Sequence, residues 1–195
     1  MLVLASASPR RRELLAQAGF QFTVTPASIP EDLRPGENPV AYVTRLAREK
    51  AQAVYARLGA EPRQDVVLGA DTTVVAPSGE ILGKPADAAD AARMLRSLAG
   101  ATHQVITGIA VASRGRVETA GEVTHVTMLT VSDEEIAAYV STGEPMDKAG
   151  GYAIQGYAAR WIPRIQGCYF NVVGLPLALV CGMLSDTLES PQNLC

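Results

Sequence analysis

The segment Ser6-Ala7-Ser8-Pro9-Arg10-Arg11-Arg12-Glu13 gathers two hydroxyls and three guanidinium groups at one point of the chain. Ser8 is suited to cap a helix and Pro9 to open it. The arginines then fall in a first helical turn, where the macrodipole favours acidic side chains. A bound anion resolves that conflict, because unpaired backbone N–H groups, hydroxyls and guanidinium forks would all point at it. The alternative is a solvated basic helix start, partly neutralised by Glu13.

A second candidate is Asp71, which interrupts the apolar, β-branched run VVLGADTTVV. A carboxylate in such a run requires a partner. A metal ion, a water or a lysine would serve, and Gly83-Lys84-Pro85 supplies Lys84; a structural Asp71–Lys84 pair is the alternative. Thr72 is either a strand former or a phosphate contact. Asp147 and Lys148 precede glycines that permit close approach of the backbone to a ligand, or else form an ordinary turn. Glu31 lies beside Asp32 in the loop PASIPEDLRPGE, as an exposed charge or as a site residue carried by a loop. A phosphate-gripping helix start, an aspartate suited to a metal or a water, and lysines together form the set that phosphoanhydride hydrolysis needs. The leaving group must be neutralised and water aligned behind phosphorus.

The elements that would position these groups alternate. Leu2–Ala5 reads as a buried strand, and a helix from Pro9 carries Leu14, Leu15 and Ala18 inward to a stop at Gly19. Phe22–Thr25 is a second strand. Asn38 and Pro39 open a helix whose buried face is expected at Val40, Val43, Leu46, Ala47, Val54 and Leu58, ending at Gly59. DVVLGADTTVVAP is strand-like, with a turn at PSGE. A helix runs from the cap Asp87 to Gly100. Strands over 103–113 and 117–131 form a hairpin about SRGR. Ser132 and Glu135 make a capping box for a helix stopping at Gly143. The stretch from Glu144 to Gly174 is loop-rich with short strands, and LPLALVCGMLSDTL is a closing helix. No linker divides the chain, so one α/β domain over 1–195 is expected, with a long mixed sheet and a cleft.

Composition narrows the class. The 195 residues are 48% hydrophobic and 19% charged with formal net charge −3, which speaks against disorder and against a nucleic-acid-binding face. The apolar runs are too short to span a bilayer, and the arginines follow the first apolar run, unlike a signal peptide. A soluble, cytoplasmic protein is expected. Cys168, Cys181 and Cys195 form no metal or redox spacing and read as reduced thiols; His103 and His125 show no ligand spacing. Walker A and GxGxxG sequences do not occur.

The blocks LASASPRRRELL, GADTTVV, GKP, HQVITGIAV and GEPMDKAGGYAIQG…VVGLPL resemble, in this order and over nearly the whole chain, the Maf family of nucleoside triphosphate pyrophosphatases. The resemblance implies a two-lobed α/β domain with a central cleft, similar to inosine triphosphate pyrophosphatases. It also implies hydrolysis of a nucleoside triphosphate between the α and β phosphates with a divalent cation, Mg²⁺, Mn²⁺ or Co²⁺, in a homodimer. By it, Ser6, Ser8, Arg10 and Arg11 belong to the phosphate-binding motif and Lys84 contacts a phosphate or the transition state. Asp71 is the water-activating or metal-associated carboxylate, Glu31 is a second site carboxylate, and Arg12 has no role. The block DKAGGYAIQG is similar to that of the branch acting on dTTP and UTP, with modified pyrimidine nucleotides also fitting. Gln155 would then donate to O4 and accept from N3–H of the base, and a neighbour must fix its amide against a flip that would suit cytosine. Two other readings are a nucleotide-binding regulator of cell division or septum formation, and a pyrophosphatase for 7-methyl-GTP or another nucleotide.

Overall fold

The computed structural model describes residues 1–58, 65–185 and 187. The expected helix stop at Gly59 and the thiol of Cys195 lie outside the described residues. Seven strands form one mixed sheet: β1 (Leu2–Leu4), β2 (Phe22–Val24), β3 (Val66–Val75), β4 (Ile81–Leu82), β5 (Thr102–Ser113), β6 (Arg116–Thr127) and β7 (Arg164–Gln166). Their order is β2-β1-β3-β5-β6-β7, with β4 paired to β3. β1 runs parallel to β2 and to β3, while β4 on β3 and β7 on β6 are antiparallel. β3 lies inside the sheet, which explains why nearly all of it is buried and why its sequence is apolar without alternation.

The helices are α1 (Pro9–Gln17), α2 (Pro39–Arg57), α3 (Ala88–Leu98), α4 (Asp133–Ser141), α5 (Tyr169–Val173) and α6 (Leu177–Ser185). Their starts follow the local chemistry: Ser8, Asn38, Asp87 and Ser132 each accept a backbone N–H as N-cap, and Ser132 with Glu135 completes the capping box. The β5–β6 hairpin turns in two residues, Arg114 and Gly115, both at positive φ as this tight connection requires.

Some expectations need correction. Val40 is 40% exposed, because the stripe of α2 begins one turn later at Val43. The strand expected to reach Val131 ends at Thr127; beyond it Leu129 N donates to Trp161 O. The stretch from Glu144 to Trp161 is built from 3-10 turns (Glu144–Asp147, Ala149–Gly151, Tyr157–Trp161), and β7 is its sequel. β4 and α5 were not legible as separate elements.

By packing the chain divides into two compact units. The first comprises Met1–Asp71, Thr107–Glu122 and Gly174–Cys195, and the second Thr72–Ile106 and Val123–Val173. In the first, Val3, Ala5, Ala47, Ala51, Val54, Val67, Ala110 and Ala112 form a core. Small residues dominate it, and two glycines set its spacing: a Cβ on Gly69 would overlap Ala47 O, and one on Gly108 would overlap Val43 O. α2 therefore lies with its backbone directly against β3 and β5. In the second unit Leu82, Met94, Leu95, Leu98, Val126, Ile136, Tyr139 and Trp161 are among the core residues.

Candidate active site

In the first unit, α1 carries the cationic start. Ser8 Oγ accepts Arg11 N at 3.4 Å, the capping bond, and Ser6 Oγ accepts Ser8 N and Arg11 Nη1, both at 3.2 Å. Both hydroxyls thus use acceptor capacity on the protein, and each hydroxyl proton can be turned to a ligand. Arg11 also donates from Nε to Gly174 O and from Nη1 to Ala70 O, each at 2.9 Å. Its guanidinium therefore braces the main chain immediately before Asp71 besides adding charge. Burial lowers its pKa, Asp71 and Glu31 oppose that shift, and Arg10 reinforces it. Arg10 is half-buried and Arg12 exposed.

Asp71 is 8% exposed, and its cation is Lys50 of α2, with Nζ 2.6 Å from Oδ1. The same Nζ lies 2.6 Å from Glu31 Oε1. The geometry follows from the glycine contact. Gly69 and Asp71 share a face of β3, and Ala47 and Lys50 are one turn apart on α2, so the approach of Ala47 to Gly69 delivers Lys50 to Asp71. The loop holding Glu31 is tied to the same helix. Tyr42 Oη donates to Glu31 O at 2.8 Å, Arg45 Nη2 donates to Asp32 O at 3.0 Å, and Arg45 grips Glu37 at 2.6 and 2.7 Å. That bidentate hydrogen bond holds the Glu37 carboxyl down to a pKa of about 2.

Sequence reasoning offered Lys84 as the partner of Asp71 and overlooked Lys50. The signal was present: Ala47, Lys50 and Val54 continue the three-and-four spacing of the buried stripe, so Lys50 falls on an apolar face where a charge needs a partner. Among the described residues no group of three or more His, Cys, Asp or Glu side chains could hold a metal. Two carboxylates, Asp71 and Glu31, nevertheless converge on one cationic nitrogen. Oxygen donors of this kind suit a hard divalent ion that takes its remaining ligands from water and phosphate.

The second unit holds the other candidates. Lys84 is exposed beyond β4, and its neighbour Gly83 accepts Gly150 N at 3.0 Å. Gly150 has φ +71° and would set a Cβ 2.9 Å from Val74, so no other residue fits there without displacement. Lys148 Nζ is turned onto the protein's own oxygens, Glu144 O at 2.6 Å and Asp147 Oδ1 at 2.5 Å. Thr72 is half-buried on β3, and Gln155 is exposed on a turn.

A family described as Maf-like protein matches residues 1–187. The chain belongs to the Maf family. Among Maf relatives, a protein of Geobacter sulfurreducens is 58% identical over 187 residues, covering 95% of this chain and 94% of its own. One of Koribacter versatilis is 54% identical over 183 residues (94% and 92%), and one of Vibrio cholerae 51% over 176 residues (90% and 92%). Each of these Maf proteins bears the name dTTP/UTP pyrophosphatase.

Proposed function

We propose that the chain is a nucleoside triphosphate pyrophosphatase that hydrolyses dTTP and UTP to the monophosphate and pyrophosphate. The observation that carries the reading is the joining of Arg11, Ser6 and Ser8 to the backbone that presents Asp71, with Lys50 bridging Asp71 and Glu31. The shared name of close relatives supplies the substrate class.

In this mechanism the α1 start, with Ser6, Ser8, Arg10 and Arg11, binds the triphosphate and fixes the α-phosphorus. Asp71, held in place by Lys50, accepts a hydrogen bond from the attacking water and orients it. The water oxygen bonds to the α-phosphorus as its proton passes to the Asp71 carboxylate and the bond to the bridging oxygen breaks, releasing pyrophosphate. Lys84 neutralises charge on the phosphates, with Thr72, Asp147 and Lys148 as further substrate contacts. Gln155 reads O4 and N3–H of the pyrimidine. Asp71 and Glu31 would hold a divalent cation, Mg²⁺, Mn²⁺ or Co²⁺, whose chemistry is charge neutralisation and a more acidic bound water. The protein acts in the cytoplasm as a homodimer.

The test is pyrophosphate release from dTTP, UTP, CTP, GTP and 7-methyl-GTP with Mg²⁺ or Mn²⁺, for the native chain and Asp71→Asn. Release from dTTP and UTP that is lost in the variant while nucleotide still binds is expected. Binding without turnover of any substrate overturns the reading in favour of a nucleotide-sensing regulator.

A further inference from the structure

The turn Ala153–Gly156 presents Gln155 at its third position and is closed by Gly156 N donating to Ala153 O at 3.1 Å. The N–H groups two residues either side of Gln155 donate to side chains. Ala153 N donates to Tyr139 Oη at 3.3 Å, and Tyr157 N to Glu144 Oε1 and Oε2 at 3.2 and 3.4 Å. Tyr139 Oη in turn donates to Glu144 Oε1 at 2.8 Å. Both flanks of the turn therefore end on one phenol–carboxylate pair.

That pair is rigidly held. Tyr139 is fully buried on α4, its ring stacked on Tyr157 with centroids 5.6 Å apart and edge-on to Trp161 at 5.3 Å. Glu144 follows Gly143 at φ +75°, its N donates to Thr142 Oγ1, and its carbonyl accepts Lys148 Nζ. Gly156 closes on the carboxylate so tightly that a Cβ there would overlap Glu144 Oε1. A charged acceptor gives stronger bonds to backbone N–H groups than a neutral one.

We infer that Tyr139 and Glu144 are positioning residues for base specificity, clamping the turn so that the Gln155 side chain is presented to the base from one fixed backbone position. The inference rests on Gln155 being the base reader. A loosened turn lets the Gln155 amide shift against the base edge, so that its paired hydrogen bonds to O4 and N3–H weaken and the preference for uracil over cytosine falls.

The experiment is the ratio of kcat/KM for UTP to that for CTP, with thermal melts, in Tyr139→Phe, Glu144→Gln, Glu144→Ala, Gly156→Ala and Gln155→Ala. Tyr139→Phe keeps the buried ring and so isolates the hydroxyl. It is expected to fold and to lower the ratio about tenfold, the size of one buried hydrogen bond, with kcat for UTP changed less. Glu144→Ala and Gly156→Ala should act likewise, whereas Glu144→Gln retains an acceptor oxygen and most of the preference. An unchanged ratio in Tyr139→Phe, together with a collapsed one in Gln155→Ala, overturns the clamp and leaves the proposed function standing. An unchanged ratio in Gln155→Ala overturns the base-reading assignment itself.

Discussion

Lys50 Nζ sits 2.6 Å from Asp71 Oδ1 and from Glu31 Oε1, so one helical ammonium joins a strand carboxylate to a loop carboxylate. Lys50→Met leaves the buried Asp71 without its cation, a change that costs about 3 kcal/mol at neutral pH. Asp71→Asn in the same background should recover part of that loss, because the two residues act as a unit. Urea denaturation of the single and double variants measures the coupling; strict additivity would show that the pair is not coupled.

Arg11 serves the fold as well as the charge of α1. The bonds that its guanidinium donates to Gly174 O and Ala70 O are charge-assisted and lost on truncation. Arg11→Ala should therefore lower stability by about 1–3 kcal/mol and also weaken triphosphate binding. Calorimetric titration with a non-hydrolysable triphosphate, alongside urea melts, separates the two effects. Weakened binding at full stability would show that the guanidinium has no structural part.

Gly69→Ala and Gly108→Ala both drive a Cβ into a backbone carbonyl of α2. Each should cost at least about 2 kcal/mol, since main chain cannot step aside as a side chain can. Gly83→Ala, with nothing within 4 Å of the added Cβ, is the stability control. Equal melting temperatures for all three would contradict the close helix–sheet contact.

His103 is buried against Tyr152, with Nε2 2.7 Å from the phenol oxygen and no partner for Nδ1 among the described residues. Burial pushes its pKa down from 6.5 to about 4. The unfolded chain then binds the extra proton first, so stability is fully present above pH 6.5 and declines as pH falls toward 4, by about 3 kcal/mol in all. His103→Gln should flatten the stability profile across that window, as read by denaturant midpoints from pH 7 to 4. An unchanged slope would mean that other groups set the acid response.

Much of the architecture could be read from local chemistry, because caps and periodicity act within a few residues. Ser8, Asn38, Asp87 and Ser132 announced four helices through side chains that satisfy the first backbone N–H groups. Asp71 was conspicuous as the charged residue of a buried strand. Spacing marked Lys50 as a charge on a buried stripe, but its pairing with Asp71 was not legible, since positions 50 and 71 are joined only where α2 meets β3. Within the stretch from Glu144 to Gly174, read as loop-rich with short strands, β7 answers to that reading, whereas the 3-10 turns up to Trp161 were missed because their order comes from Tyr139, Glu144 and glycine geometry, not from a repeating pattern. Val40 was misplaced because a helical stripe drawn by spacing carries no information on where the opposing surface ends.

Where α2 crosses Gly69 and Gly108 it touches main chain, and the separation there is fixed by peptide dimensions and not by side-chain volume. Exchange of larger for smaller aliphatics elsewhere in the core would shift most helix–strand spacings by fractions of an ångström, yet leave this one as a fixed gauge. The stretch of α2 from Val43 to Ala47 is thus a datum for redesign. Apolar positions around it can drift, while the registration of an ammonium one turn further on is held by a contact with no side chain to mutate.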